Sequence, residues 1–270
     1  MKKAEGKIIF FLSLILALLV IITSGISLLS TNFYGKETFN WATQSTGQDG
    51  IDFFLIAPLL IIISLFAYRK RAALLLWGGV IFYLVYTYVI YCFTLHFNRF
   101  FIVYCIILGL SFYLFQYFLI SQVQKRMVKS ITNKIVRKVI GIYLITIACL
   151  FYLLWLAEII PAIINNVTPS SLIETGLFTN PVHVIDLSIC LPALFITGFL
   201  LLKQNALGSV LAPAMLVFCI LMDITIGVLV ILMNARGLGS DYSVAVVMFI
   251  LALLSMMLLI WFIKQVDIVE

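Results

Sequence analysis

Eight apolar runs limit what this chain of 270 residues can fold into. They fall at about 8–30, 51–68, 72–95, 99–121, 139–164, 183–203, 207–233 and 243–264. Each comes close to the roughly 20 residues that a helix needs to cross a bilayer's hydrocarbon. With 64% apolar and 10% charged residues, and a mean hydropathy of +1.21, one soluble core has no room for this much hydrocarbon. The expected fold is therefore all-α, a polytopic bundle of eight transmembrane helices in contact with the lipid bilayer. Lys2, Lys3 and Lys7 before the first run imitate a signal peptide. That run is long enough to span and lacks an A-x-A-like cleavage site, so it reads as a retained helix.

The net charge of +6 and pI near 9.1 describe orientation rather than affinity for nucleic acid. With the N-terminus in the cytoplasm, of 17 Lys and Arg residues only Lys36, Arg99 and Arg236 fall outside. By the positive-inside rule both termini are then cytoplasmic. The acids run the other way. Glu37, Asp49, Asp52, Glu158, Glu174, Asp186, Asp223 and Asp241 lie outside or in outer helix halves. A cation or small polar solute is the natural visitor to that face.

The eight runs divide into two sets of four. Residues 1–121 form a first unit, 122–138 a basic cytoplasmic linker and 139–270 a second unit. Asp52 and Asp186, Pro58 and Pro192, and Arg69 and Lys203 share one offset, 134 positions (52 to 186), as do Asp49 and His183. Four helices per unit give both units one orientation, so a tandem repeat would turn about the membrane normal.

The most distinctive stretch is TNPVHVIDL, residues 179–187. Asn180 suits a helix N-cap and Pro181 the first turn, where a missing N–H leaves nothing unpaired. His183 and Asp186 then share a face, as do Asp49 and Asp52 in GQDGIDFF. Together with the tyrosine-rich YLVYTYVIY (83–91) and HFNRFFIVY (96–104), these segments resemble a family of uncharacterised bacterial multi-pass membrane proteins. That family is marked by N-P-V-H-V-[IL]-D-L. The resemblance implies a multi-pass protein of the bacterial cytoplasmic membrane and supplies no mechanism.

Asp52 and Asp186 near helix starts have an ordinary explanation, since free N–H groups there stabilise a carboxylate. Glu158 and Asp223 lie deeper, where a charge costs about 3 kcal/mol on insertion scales. Such groups face protein or water, as an ion pair, a hydrogen-bonded acid or part of a site. Arg99, at the unfavourable end of its helix, is the expected partner of one carboxylate. The expected ligand-binding set is thus Asp52, Arg99, Glu158, His183, Asp186 and Asp223, around a central pocket in the outer leaflet. With Arg99 neutralising one acid, the rest take up a proton, a metal or a cationic ligand. His96 and His183 with carboxylates suit zinc or manganese, although no tight ligand spacing joins them.

Cys92, Cys105, Cys149, Cys190 and Cys219 form no C-x-x-C pair and read as packing residues. No P-loop, G-x-S-x-G or H-E-x-x-H occurs, which disfavours an ATPase or a hydrolase of those classes. Three classes remain. The first is a small permease or channel-like protein for an ion or small polar solute, with prolines breaking helices around its pocket. The second is an accessory or signalling membrane protein without its own chemistry. The third is a membrane-embedded metal-dependent enzyme.

Overall fold

A computed structural model of the chain describes residues 3–67, 69–124 and 133–266. Lys2, Lys125, Arg126, Lys129, Asp267 and Glu270, all counted in the charge argument, lie outside the described residues. Nine helices are labelled here: α1 (Lys3–Leu29), α2 (Phe39–Ala67), α3 (Arg71–Thr94), α4 (Phe101–Gln124), α5 (Lys134–Ile164), α6 (Ser170–Thr175), α7 (Pro181–Leu202), α8 (Ala206–Ala235) and α9 (Tyr242–Val266). All but the short α6 are long and apolar enough to cross a membrane, eight among the described residues. No strand occurs among them. This is the architecture of a multi-pass integral membrane protein. Its outward faces are hydrocarbon, with Phe11, Ile22, Ile102, Leu153, Leu253 and Met257 exposed as lipid contact requires.

One boundary differs from the hydropathy reading. Residues 31–50 fall between the first two apolar runs, yet α2 already begins at Phe39. Thr38 caps it, accepting from the Trp41 N–H at 3.2 Å. The next turns are polar, with Gln44, Ser45, Gln48 and Asp49. Gln44 bonds to Asn40 within the helix, and Gln48 and Asp49 find partners on neighbouring elements, as described below. Residues 165–182, between the fifth and sixth apolar runs, contain α6, which ends on Gly176 at φ +71°. The Thr38 hydroxyl donates to the Thr175 carbonyl at 2.9 Å, tying that loop to the start of α2.

α2 and α7 share an irregularity. Each contains a π-helical turn, Asp52–Ile56 in α2 and Asp186–Cys190 in α7. The Ala57 N–H bonds back to the Asp52 carbonyl, and the Leu191 N–H to that of Asp186. Pro58 and Pro192 follow directly. Proline has no N–H and its ring collides with the carbonyl four residues back, and a widened turn makes room for it. Pro161 and Pro213 sit inside α5 and α8 without such a turn.

In each half the spanning helices pack in chain order. α1 meets α2, α2 meets α3, α3 meets α4, and α1 also touches α4; α5, α7, α8 and α9 repeat the arrangement. The halves join mainly through α3 against α8, with α2 also on α8. At the α3–α8 crossing, a Cβ on Gly79 would lie 2.6 Å from the Ala214 carbonyl oxygen. Only glycine permits so close an approach. The ends where α2 and α7 begin carry the acids and are called the acidic end; Arg69, Lys70, Lys134, Lys138 and Lys203 mark the basic end.

Candidate functional site

Between α2, α3, α5, α7 and α8 lies a cavity of about 320 Å³. It runs from Trp41, Leu95, Asn180 and Met233 at the acidic end to Leu194 and Phe218, halfway along their helices. One turn beyond Phe218, Gly79 packs closely on Ala214 and Val217, bringing α3 and α8 into direct contact. The residues that line the cavity lie toward the acidic end or the middle of their helices.

Two aspartates line it, on adjacent helices. Asp186 belongs to α7, which the Asn180 cap starts by accepting from the Val182 and His183 N–H groups at 3.0 and 3.3 Å. The π turn then begins at Asp186. One of its oxygens, Oδ2, accepts a hydrogen bond from the Trp155 indole at 2.9 Å. Asp223 sits mid-helix in α8, is 6% exposed and accepts no hydrogen bond among the described residues. A carboxylate so enclosed is costly unless something pairs with it. Cys190, one turn on from Asp186, and Cys219, one turn before Asp223, also face the space. The remaining walls are largely aromatic: Trp41, Tyr86, Tyr91, Phe151, Trp155 and Phe218. The Tyr86 hydroxyl is buried beside Asp186, outside ordinary hydrogen-bond geometry.

Of the other expected site residues, Asp52 lies behind the wall. It is fully buried, its Oδ1 accepting from Gln48 Nε2 at 2.9 Å and its Oδ2 unpartnered. Gln48 does line the cavity, and it also donates to the Tyr83 hydroxyl at 2.9 Å. Tyr83 in turn meets the Thr225 hydroxyl at 2.8 Å. Asp52 thus reaches the cavity only through a hydrogen-bonded chain. Asp49, one turn earlier, is held by the hydroxyls of Ser27, Tyr34 and Tyr91. Tyr34 lies outside the spanning helices, and its burial together with the Asp49 charge pushes its phenol well above the usual value.

His183 and Glu158 form a neighbouring pair, with Nε2 and Oε2 3.7 Å apart. The His183 ring packs on Trp155 at 4.5 Å between centroids, and the Ser171 hydroxyl donates to Glu158 at 2.5 Å. Neither residue lines the cavity. Arg99 is further removed. It is exposed, over the rings of Phe33 and Phe100 at 5.5 Å each, and pairs with none of the expected acids. Its helix start is satisfied instead by Asn98, whose side chain accepts from the Phe100 N–H at 2.9 Å.

His96 does not converge with His183. Its backbone and ring nitrogens meet Glu37 at 2.7 and 2.9 Å. Among the described residues no group of three His, Cys, Asp or Glu side chains is placed to hold a metal ion.

Sequence reasoning missed Trp41, Gln44 and Gln48, which line the cavity from the stretch between the first two apolar runs. Their spacing of three and four was the available signal of a helical face. No protein-family model, characterised protein or solved structure matches the sequence.

Proposed function

We propose that this chain is a small permease whose solute binds in the cavity between its two halves. The observation that carries this reading is the cavity's position. It reaches mid-depth, at the junction of two four-helix sets, beside a helix widened by a π turn. Helical transporters bind their substrates in such places, near the midplane and next to interrupted helices. The reading includes a two-fold relation of the halves, with Asp52 on Asp186 and Pro58 on Pro192. It also puts both termini in the cytoplasm, which turns the acidic end outward. An outward acidic mouth favours cations and small polar solutes over anions.

Cysteine accessibility tests it. Met222 lines the cavity on α8, one residue before Asp223. In Met222→Cys, a membrane-impermeant methanethiosulfonate is applied to right-side-out or inside-out vesicles, and labelling is read by peptide-resolved mass spectrometry. A permease that alternates its access exposes Cys at 222 from both sides. Labelling from the outside alone would leave a binding or accessory protein, and labelling from neither side would remove the cavity from consideration. Either result overturns the proposal.

A further inference from the structure

We infer that the cavity's ligand is an organic cation, an amine or quaternary ammonium ion that carries an apolar body. This rests on the permease reading of the same cavity and adds the chemistry of its solute.

Charge gives the first argument. Asp186 and Asp223 line the cavity, and no Lys, Arg or His among the described residues does. An anion meets two like charges there, and a zwitterion finds nothing to neutralise its carboxylate. Asp223 supplies an independent observation. It is more than nine-tenths buried, faces the cavity and has no hydrogen-bond partner among the described residues. Its missing partner is a positive group that comes from outside the protein.

The walls then decide which kind of cation. A small inorganic ion must exchange its hydration shell for oxygen ligands, about six or more for calcium or magnesium. The cavity surface is mostly carbon, and no metal-binding cluster occurs among the described residues. An alkylammonium ion sheds water more readily and is attracted to the faces of aromatic rings. Trp41, Tyr86, Tyr91 and Trp155 line the same cavity as the two carboxylates. The volume, about 320 Å³, falls at the low end of the range that holds small organic ligands, about 300–1,000 Å³. That space suits a cationic head with a ring or short chain attached. The Tyr86 hydroxyl, buried beside Asp186, can accept a hydrogen bond from an ammonium N–H.

Benzyltrimethylammonium and its uncharged carbon isostere, neopentylbenzene, separate charge from shape. Each is added to the full-length Met222→Cys protein in lipid nanodiscs, and protection of the introduced thiol from methanethiosulfonate is measured. The cation should slow modification, and Asp223→Asn should weaken that protection about tenfold or more, the usual consequence of deleting one desolvated charge partner. Asp186→Asn should act in the same direction. Asp223→Glu should restore protection, which a merely structural role for Asp223 would not allow. Equal protection by neopentylbenzene, unaffected by either Asn variant, would make this an apolar-ligand site and overturn the inference. A thiol that stays reactive but that no cation protects would also overturn it, while leaving the permease reading intact. A thiol that never reacts would sink both.

Discussion

Asp49 and Asp52 on α2 correspond in position to His183 and Asp186 on α7, and both pairs lead into a π turn ahead of a proline. Their surroundings differ. On α2 the carboxylates are sealed: Asp49 by Ser27, Tyr34 and Tyr91, and Asp52 by Gln48 and complete burial. On α7 Asp186 has Trp155 on one oxygen and borders open space. The difference lies in the neighbours: Ser27 on α1, Tyr34 in the connection and Tyr91 on α3 close around Asp49, and the preceding helices differ as well. At the constant offset, Trp155 corresponds to Ile21 and Glu158 to Ser24. The π turn delivers a carboxylate to the interior in both halves, and the neighbours decide whether it becomes a fastening or a lining. A shared motif therefore marks a shared backbone and need not mark a shared task.

That contrast can be broken by mutation. Asp49→Ala removes the common acceptor of three hydroxyls inside the bundle. At about 1–3 kcal/mol for each buried polar group left unpaired, it should destabilise the protein by about 3 kcal/mol or more. Thermal unfolding in detergent measures this, and a loss below about 1 kcal/mol would show that the α2 network is not a fastening.

Tyr34→Phe removes one of the three donors and should cost about 1.5 kcal/mol at neutral pH. It should also change the alkaline limb of the stability curve. A phenol raised in the folded state adds stability that is fully present below the ordinary tyrosine value, near pH 10. That stability is lost as pH rises toward the folded value. The wild type should therefore weaken above about pH 10, and Tyr34→Phe should weaken less steeply. Parallel slopes for the two proteins would remove Tyr34 from the account.

Asp186→Asn should have the smallest effect on folding, about 1 kcal/mol or less, because the amide oxygen still accepts from Trp155. If its melting temperature falls as far as that of Asp49→Ala, the two halves do the same structural work and the contrast fails.

The spans were legible because lipid demands long apolar runs and little else makes them. Asp186, Pro192 and the Asn180 cap were legible because capping and proline chemistry are local. The start of α2 was not. Gln44, Gln48 and Asp49 lower its hydropathy, and the groups that satisfy them, Asn40 for Gln44 and Asp52 for Gln48 apart, lie on α1, α3 and the 31–38 connection. Arg99 was placed near the acids on charge alone, whereas aromatic rings hold it at the surface. Asp223 stood out as an isolated acid in a spanning helix, but its sequence does not say which helix faces it.

The π turn in α7 also sets the angular phase of that helix. Val182, Asp186, Cys190 and Leu194 all line the cavity, at a steady interval of four. In a regular α-helix each residue advances about 100°, so three such intervals would swing the row about 120° around the axis. One supernumerary residue, taken up where the Leu191 N–H reaches back to the Asp186 carbonyl, cancels most of that drift. The row stays straight, parallel to the cavity. A helix shortened by one residue between 187 and 189 would lose the π turn and still span a bilayer. The row would survive, because Asp186 would then precede Cys190 by three positions and Leu194 by seven, spacings that share one face of a regular α-helix.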